Sequence, residues 1–358
     1  MVTDGRPGTD AAAILEVEGL TLTLGRGAGA PRILDDVSFT VRAGEARGFV
    51  GESGSGKSMT LRAVMGILPP TVHVESGRIL FRGEEIVARA PDGSPSTVSP
   101  RLQQLRGTGI SMIFQEPSVA LNPVTTVGEQ IVDAVRRRDG MSRRTARRRA
   151  LELMDLVGIR NPGERLGSYP FELSGGMRQR VMIAAAVAGN PQLILCDEPT
   201  TALDVTVQAQ ILALFRHVRD ELDAALLYVT HDLGVVAELC DSLTVLYSGK
   251  VMESRQDLRA AIDQPFHPYT RALLQSTPDI DHLEQRLRTI PGSAPTPQNR
   301  PAGCPFADRC DRVQDDCRQG PVPDVGVGSE VVVHCLHPFG RGSAANGVID
   351  PSPAEVLR

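Results

Sequence analysis

The sequence predicts an α/β fold, and three observations carry that prediction. Short apolar runs of strand length alternate with helical segments along most of the chain. A Gly/Ser-rich octapeptide, Gly51-Glu52-Ser53-Gly54-Ser55-Gly56-Lys57-Ser58, lies between an apolar strand (46–50) and a helical run (59–65). A second strand, Leu193-Ile194-Leu195-Cys196, ends in two adjacent carboxylates, Asp197 and Glu198.

Taken in order, Ile14 to Val17, Leu20 to Leu24 and Val37 to Val41 read as strands joined by Gly-rich turns. Strand, glycine loop and helix follow, and Gly77 to Phe81 returns as strand. Ala88 to Pro100 reads as a Pro/Ser/Gly loop, and Ile110 to Phe114 as a buried strand ending at Gln115. Thr126 to Val157 is helical in pattern, broken at Asp139-Gly140. After residue 198, helix, strand (225–230), helix and strand (242–247) alternate. Pro291 to Pro301 has linker composition, and a cysteine-bearing tail follows it. Residues 1–12 and 339–358 read as disordered.

Bulk properties narrow the class. A length of 358 residues accommodates roughly two domains. With 41% hydrophobic and 23% charged residues, the chain is that of an ordinary soluble globular protein. A net charge of -5 argues against general nucleic-acid binding. The arginine runs at 136–138 and 143–149 therefore read as a solvated helical face. No apolar run approaches the ~18 residues of a membrane span, and no basic-then-apolar leader opens the chain. The expectation is a protein of a reducing compartment, whose six cysteines are not disulfides. Cys196 and Cys240 read as structural.

The octapeptide is a phosphate-binding loop. Its small residues let successive N–H groups turn inward around a polyphosphate, and the following helix adds its positive end. Lys57 suits the terminal phosphates and the Ser58 hydroxyl suits Mg²⁺. The 38 basic residues include only two lysines, Lys57 and Lys250, so arginine has not replaced the one compact charge a phosphate cradle needs. Asp197 at its strand end is placed to hold Mg²⁺, and Glu198 to polarise an attacking water. A second anion nest reads from Leu173-Ser174-Gly175-Gly176-Met177-Arg178-Gln179-Arg180, where two glycines open a helix they would otherwise weaken.

Together these residues resemble the ATP-binding cassette (ABC) ATPases, whose signature is L-S-G-G-x-x-Q-R. Gln115 resembles the Q-loop glutamine, Asp204 in Thr201-Ala202-Leu203-Asp204 the D-loop, and His231 in Thr230-His231-Asp232 the switch histidine. The resemblance implies a P-loop ATPase with a RecA-like core, an antiparallel β subdomain and a helical subdomain at about 118–190, within a nucleotide-binding domain of residues 13–265. It implies a head-to-tail dimer with two ATPs, each held between one subunit's loop (Gly51 to Ser58, with Met59) and the other's Ser174, Gly175, Gly176 and Gln179, near Asp204. Ser58, Gln115 and Asp197 would surround Mg²⁺, Glu198 would activate water, and His231 would orient Glu198. Leu24 stands where the family usually stacks an aromatic residue on adenine.

Further motifs resemble the ATPase subunits of oligopeptide/dipeptide and nickel permeases: Glu52 in the loop, Phe114-Gln115-Glu116-Pro117, Ser168-Tyr169-Pro170, the 198–208 segment and His267-Pro268-Tyr269-Thr270. That resemblance implies a C-terminal extension at 266–338. It also implies an ATP-hydrolysing importer subunit at the cytoplasmic face of the membrane, without a span of its own. Its partners would be a second ATPase subunit, identical or different, two transmembrane permease subunits and an extracytoplasmic solute-binding protein, with no nucleic acid. Di- and oligopeptides are the expected cargo; nickel or another small solute is the alternative, and a soluble non-transport ABC ATPase or a metal-sensing regulator the rival. Cys304, Cys310, Cys317 and Cys335 follow a C-x5-C-x6-C-x17-C spacing without the C-x2-C pairs usual for zinc. The resemblance implies a [4Fe-4S] cluster, with Zn²⁺ as the alternative, stapling a tail that lacks a core of its own. His334 and His337 read as surface residues.

Overall fold

A computed structural model describes residues 11–27, 29–88, 97–201, 203–276, 289–327 and 331–340. Of the stretches expected to be disordered, 1–12 and 339–358, residues 1–10 and 341–358 lie outside the described residues, as does most of the 88–100 loop, whereas Phe339 is buried with its N–H donating to Phe266 O at 2.8 Å. Strands β1 (Ala13–Leu24), β2 (Arg32–Arg42) and β3 (Ala46–Val50) open the chain. They are followed by α1 (Lys57–Val64), β4 (Val72–Phe81), β5 (Glu84–Ala88), β6 (Thr97–Val98), α2 (Pro100–Leu105) and β7 (Ile110–Ile113). A helical stretch comprises α3 (Pro117–Ala120), α4 (Val127–Asp139), α5 (Arg143–Leu156), α6 (Pro162–Arg165) and α7 (Gly175–Val187). Then come β8 (Leu193–Asp197), α8 (Val205–Leu222), β9 (Ala225–Thr230), α9 (Leu233–Leu239), β10 (Ser242–Tyr247) and β11 (Lys250–Arg255). Helices α10 (Leu258–Asp263) and α11 (Pro268–Ser276) and strands β12 (Val325–Val327) and β13 (Val331–Val333) complete the order.

Two sheets result. One is antiparallel, with order β2-β1-β4-β5-β6. The other runs β12-β13-β11-β10-β3-β9-β8-β7, and its members from β10 to β7 are parallel. Strands β3, β8, β9 and β10 are buried at every position, as parallel strands covered on both faces must be. Leu15, Val37, Phe49, Leu61, Ile79 and Leu227 share one core, placing α1 with both sheets. The opposite core joins α4, α5, α7, α8 and α9 to the parallel strands.

Three expectations change. The early strands at 14–17 and 20–24 are one strand, β1, whose register on β2 slips between Val17 and Leu20. A bulge absorbs the interruption that reads in sequence as a turn. The 88–100 segment is not wholly loop, since β6 and α2 form, with Ser99 capping Arg101 N–H and Pro100 at the first helical position. The tail does not lack a core. Cys304, Phe306, Ala307, Cys317 and Val322 belong to the same buried cluster as the helices, and β13 pairs with β11 in the main sheet. The break at Asp139-Gly140 is as expected, with Gly140 closing α4 in the left-handed conformation and Ser142 capping α5.

Arg47 interrupts the apolar run of β3 and is fully buried. Its guanidinium donates to Glu45 Oε1 (3.2 Å), Thr244 Oγ1 (2.9 Å), Ser254 Oγ (3.2 Å) and Gln256 Oε1 (2.6 Å), tying β3 to β10 and β11. Glu45 is itself buried, so removing Arg47 strands a carboxylate. Arg47→Leu is expected to cost about 3–5 kcal/mol, read as a lowered urea midpoint. An unchanged midpoint would show that this network does not hold the sheet.

Candidate functional site

Parallel pairing gathers the site. Val50 pairs with Thr230 and Val245, and Asp197 pairs with Val229, so the octapeptide, Glu198 and His231 all leave the sheet at its carboxyl edge. At Gly51 a Cβ would come within 2.0 Å of the Leu246 carbonyl oxygen, which explains the glycine after β3. Gly56 caps α1 at φ 106° with no side-chain hydrogen bond, so the first-turn N–H groups are left for an anion. Ser55 Oγ is buried and has no hydrogen-bond partner, an orphaned hydroxyl inside the loop that suits a phosphate oxygen.

Lys57 Nζ donates to the carbonyls of Gly51 (2.7 Å) and Glu52 (3.0 Å) and lies 3.6 Å from Glu198 Oε1. Burial lowers its pKa, while Glu198 and Asp197 oppose that shift. Ser58 Oγ donates to Asp197 Oδ1 at 2.7 Å. Burial raises the Asp197 pKa against this hydrogen bond, and a cation shared by the two oxygens would relieve the cost. Glu198 sits at φ 44°, a conformation costly for a side-chain-bearing residue and held by Glu198 N–H donating to Val229 O at 3.0 Å. Its Oε2 accepts from Thr201 Oγ1 (3.0 Å) and meets His231 Nδ1 (3.1 Å). Two partners on one oxygen fix the carboxylate beside the loop.

The remaining expected residues divide. Ser174 caps α7 through Met177 N–H (3.3 Å), and Ser174 and Gly175 are exposed with open space beside Gly175. Gly176 has an internal reason, since its Cβ would press on Val207 of α8 at 3.1 Å. Gln179 is buried and its Nε2 lacks a partner. Gln115, Gly175, Gln179 and Pro199 line one cavity of ≈ 260 Å³, to which no phosphate-loop residue contributes. Gln115 makes no hydrogen bond to Ser58 or Asp197 among the described residues. Asp204 caps α8 through Val207 N–H at 2.9 Å. Leu24 is 40% exposed at the end of β1.

The four cysteines of the extension face one cavity together with His267, Arg312 and His337. Burial pushes Cys304 up to about 11 and Cys335 up to about 12, and raises Cys310, so as free groups these remain thiols at neutral pH. His337 is not simply a surface residue. It lines this cavity, and its ligand atom falls within 4.8 Å of those of Asp316 and Cys317. No three of the cysteine sulfurs approach one another that closely. A tetrahedral zinc site with Zn–S near 2.3 Å brings its sulfurs to about 3.8 Å. Cys196 and Cys240 are buried elsewhere, in β8 and at the end of α9, as expected.

Sequence reasoning places Tyr269 and Thr201 in family motifs but misses their contacts, and it misses that of Arg309 with the loop. Arg309 grips the Glu52 carboxylate at 2.8 and 2.9 Å, and Tyr269 OH accepts from Glu52 N–H at 3.0 Å. An acidic residue inside a phosphate cradle was the available signal, because it requires a cation somewhere.

The ABC transporter family profile matches residues 34–201, and that of the oligopeptide/dipeptide transporter C-terminal region matches 254–317. The dipeptide transport ATP-binding protein DppD of Bacillus subtilis is 45% identical over 83% of this chain and 86% of its own length. The oligopeptide transport ATP-binding protein OppD of Salmonella typhimurium is 42% identical over 87% of this chain and 90% of its own. Among solved structures, the dimeric ATP-binding cassette MJ0796 bound to ADP and Pi is similar at 28% identity and TM-score 0.58, over 68% of this chain and 99% of that one.

Glu198→Gln is expected to bind nucleotide yet hydrolyse it about 10²–10⁴-fold more slowly, measured as phosphate release beside nucleotide binding. Normal hydrolysis would remove the role assigned to this carboxylate.

Proposed function

The chain belongs to the ATP-binding proteins of ABC transporters, and on that premise we propose a division of roles for a subunit that hydrolyses ATP to drive peptide uptake. The observation that carries the reading is the convergence of Lys57, Ser58, Asp197, Glu198 and His231 at one sheet edge. Lys57 and the loop amides bind the β- and γ-phosphates of ATP. Ser58 and Asp197 hold Mg²⁺, with Gln115 completing the set from its loop; the ion would draw charge from the phosphate oxygens. Glu198 accepts the proton of the attacking water, and His231 keeps its carboxylate aimed. Ser174, Gly175 and Gly176, with buried Gln179 behind them, act on ATP held by a second subunit, which accounts for the exposure of Ser174 and Gly175. The dimeric, nucleotide-bound state of MJ0796 supports that arrangement.

No helix among the described residues is long and apolar enough to cross a membrane. Peripheral attachment through two permease subunits, supplied by an extracytoplasmic binding protein, is the proposed setting at the cytoplasmic face. A groove of ≈ 410 Å³ between Phe114, Leu121, Asp133 and Met182 supports it, as do the exposed apolar side chains of Val119, Val124 and Phe171. In domain terms, residues 13–265 form the nucleotide-binding unit, with helices at about 118–190, and 266–338 the extension. Peptides are the proposed cargo, by likeness to DppD and OppD. The match to the oligopeptide/dipeptide C-terminal region favours transport over a soluble, non-transport ATPase.

For the extension we propose an iron–sulfur cluster on Cys304, Cys310, Cys317 and Cys335. Its support is the one cavity that all four cysteines line. Protein purified without oxygen is expected to carry iron and acid-labile sulfide in equal amounts, and Cys304→Ser to lose both. Zinc without sulfide would replace this reading with a mononuclear site. For the transport function, a chromosomal Glu198→Gln strain is expected to lose uptake of labelled di- and oligopeptides. Undiminished uptake, with the variant expressed and no parallel peptide system, would point to another solute.

A further inference from the structure

One ion pair joins the cysteine-bearing extension to the phosphate loop, and the ATPase mechanism does not use it. Arg309 is buried to 7% side-chain exposure against Glu52 at 27%. Two parallel hydrogen bonds, Nη1 to Oε2 at 2.8 Å and Nη2 to Oε1 at 2.9 Å, span 257 positions of sequence. The other donors of the guanidinium reach Pro291 O (2.7 Å), Tyr247 OH (3.0 Å) and Ile290 O (3.3 Å). A fork committed on every side fixes orientation as well as charge.

Each end of this pair continues into a site. The Glu52 carbonyl accepts from Lys57 Nζ at 3.0 Å and from Ser55 N–H at 3.2 Å, so movement of Glu52 is movement of the loop. Arg309 closes a short 3₁₀ turn, Ala307–Arg309. Ala307 N–H donates to Cys304 O at 3.1 Å and Cys310 N–H to Ala307 O at 3.3 Å, so two of the cavity's thiols bracket the turn that carries the guanidinium. The Tyr247, Tyr269 and Phe306 rings pack between the two ends, with centroids 4.5 to 5.4 Å apart. There is also an electrostatic reason for the contact. An unpaired Glu52 carboxylate would repel a polyphosphate, and Arg309 neutralises it from outside without consuming a loop amide.

We propose that the Arg309–Glu52 pair couples the cysteine cavity to the nucleotide site, making Arg309 a positioning residue for ATP and the extension a regulator of the ATPase. The inference rests on the octapeptide being the nucleotide site. Coupling between sites is reciprocal, so nucleotide on the loop must alter the cavity as much as the cavity alters the loop.

The test uses the full-length protein. Fluorescence of a trinitrophenyl nucleotide establishes binding, and peptide mass spectrometry follows iodoacetamide modification of the half-buried Cys310, with and without saturating Mg-ATPγS. Where the purified protein carries metal in the cavity, the rate of metal loss to a chelator is read in place of alkylation. Bound nucleotide is expected to slow the reaction at least about 5-fold, the lower range of allosteric couplings. The slowing disappears in Glu52→Gln and in Arg309→Gln at saturating nucleotide. Should Arg309→Gln fail to fold, Glu52→Gln decides alone. An unchanged rate in wild-type protein with nucleotide bound, or slowing that persists in Glu52→Gln, overturns the coupling. Failure of wild-type protein to bind nucleotide would instead overturn the assignment of the loop, and the coupling with it.

Discussion

A phosphate loop must leave most of its N–H groups free for an anion, so its few internal hydrogen bonds, such as Ser55 N–H to Glu52 O, cannot hold it alone. The rest of this structure is arranged around that constraint. Leu246 O closes in on Gly51, Gly249 N–H donates to Ser55 O at 2.9 Å, Tyr269 OH takes Glu52 N–H, and Arg309 holds the Glu52 carboxylate. These supports come from the end of β10, the turn after it, α11 and the cysteine-bearing extension. A loop so held from outside has its interior N–H groups, its orphaned Ser55 hydroxyl and Lys57 already aimed before any phosphate arrives, which removes ordering cost from binding.

The parallel sheet performs the second task of bringing distant residues to that loop. Each strand points its carboxyl end the same way, so residues separated by well over a hundred positions converge without long connections. Buried Arg47 locks β3 to β10 and β11 immediately before the loop begins. The strained backbone of Glu198 follows from its position at the end of β8, where the chain must turn sharply while the carboxylate stays beside Lys57 and His231. Strain at such a point is sustained only because the strand and its neighbours over-determine it.

Much of the proposed site reads directly from sequence because phosphate and Mg²⁺ would restrict residue type at fixed spacing. Gly51 to Ser58, Asp197 and Glu198 are of this kind, and the strands and helices around them follow from periodicity. The rest depends on partners with no local signature. β1 reads as two strands because a bulge and a turn look alike in a short run containing glycine. The tail reads as lacking a core because Phe306, Val322 and Val333 are sparse, while the rings that bury Phe306 lie at positions 247 and 269. The pairing of Arg309 with Glu52 is invisible for the same reason, although Glu52 in an anion cradle implies that some cation must answer it. At Gly176 the close approach inferred from sequence also has a partner within the chain, since a Cβ there would press on Val207 at 3.1 Å.

What one chain leaves incomplete is as informative as what it assembles. The phosphate loop has charge, orphaned donors and a positioned carboxylate, yet the second nest at Ser174 and Gly175 faces open space and shares its cavity with Gln115 and Pro199 rather than with Lys57. In the proposed head-to-tail pair, each nest completes the other subunit's site, and hydrolysis then changes an interface rather than a single pocket. The extension's grip on Glu52 bears on the same event, because the loop that closes the interface is the loop Arg309 holds. In the proposed arrangement nucleotide, partner and cysteine cavity would share one mechanical element, so that a change at any of the three would be transmitted through the short segment from Gly51 to Ser58.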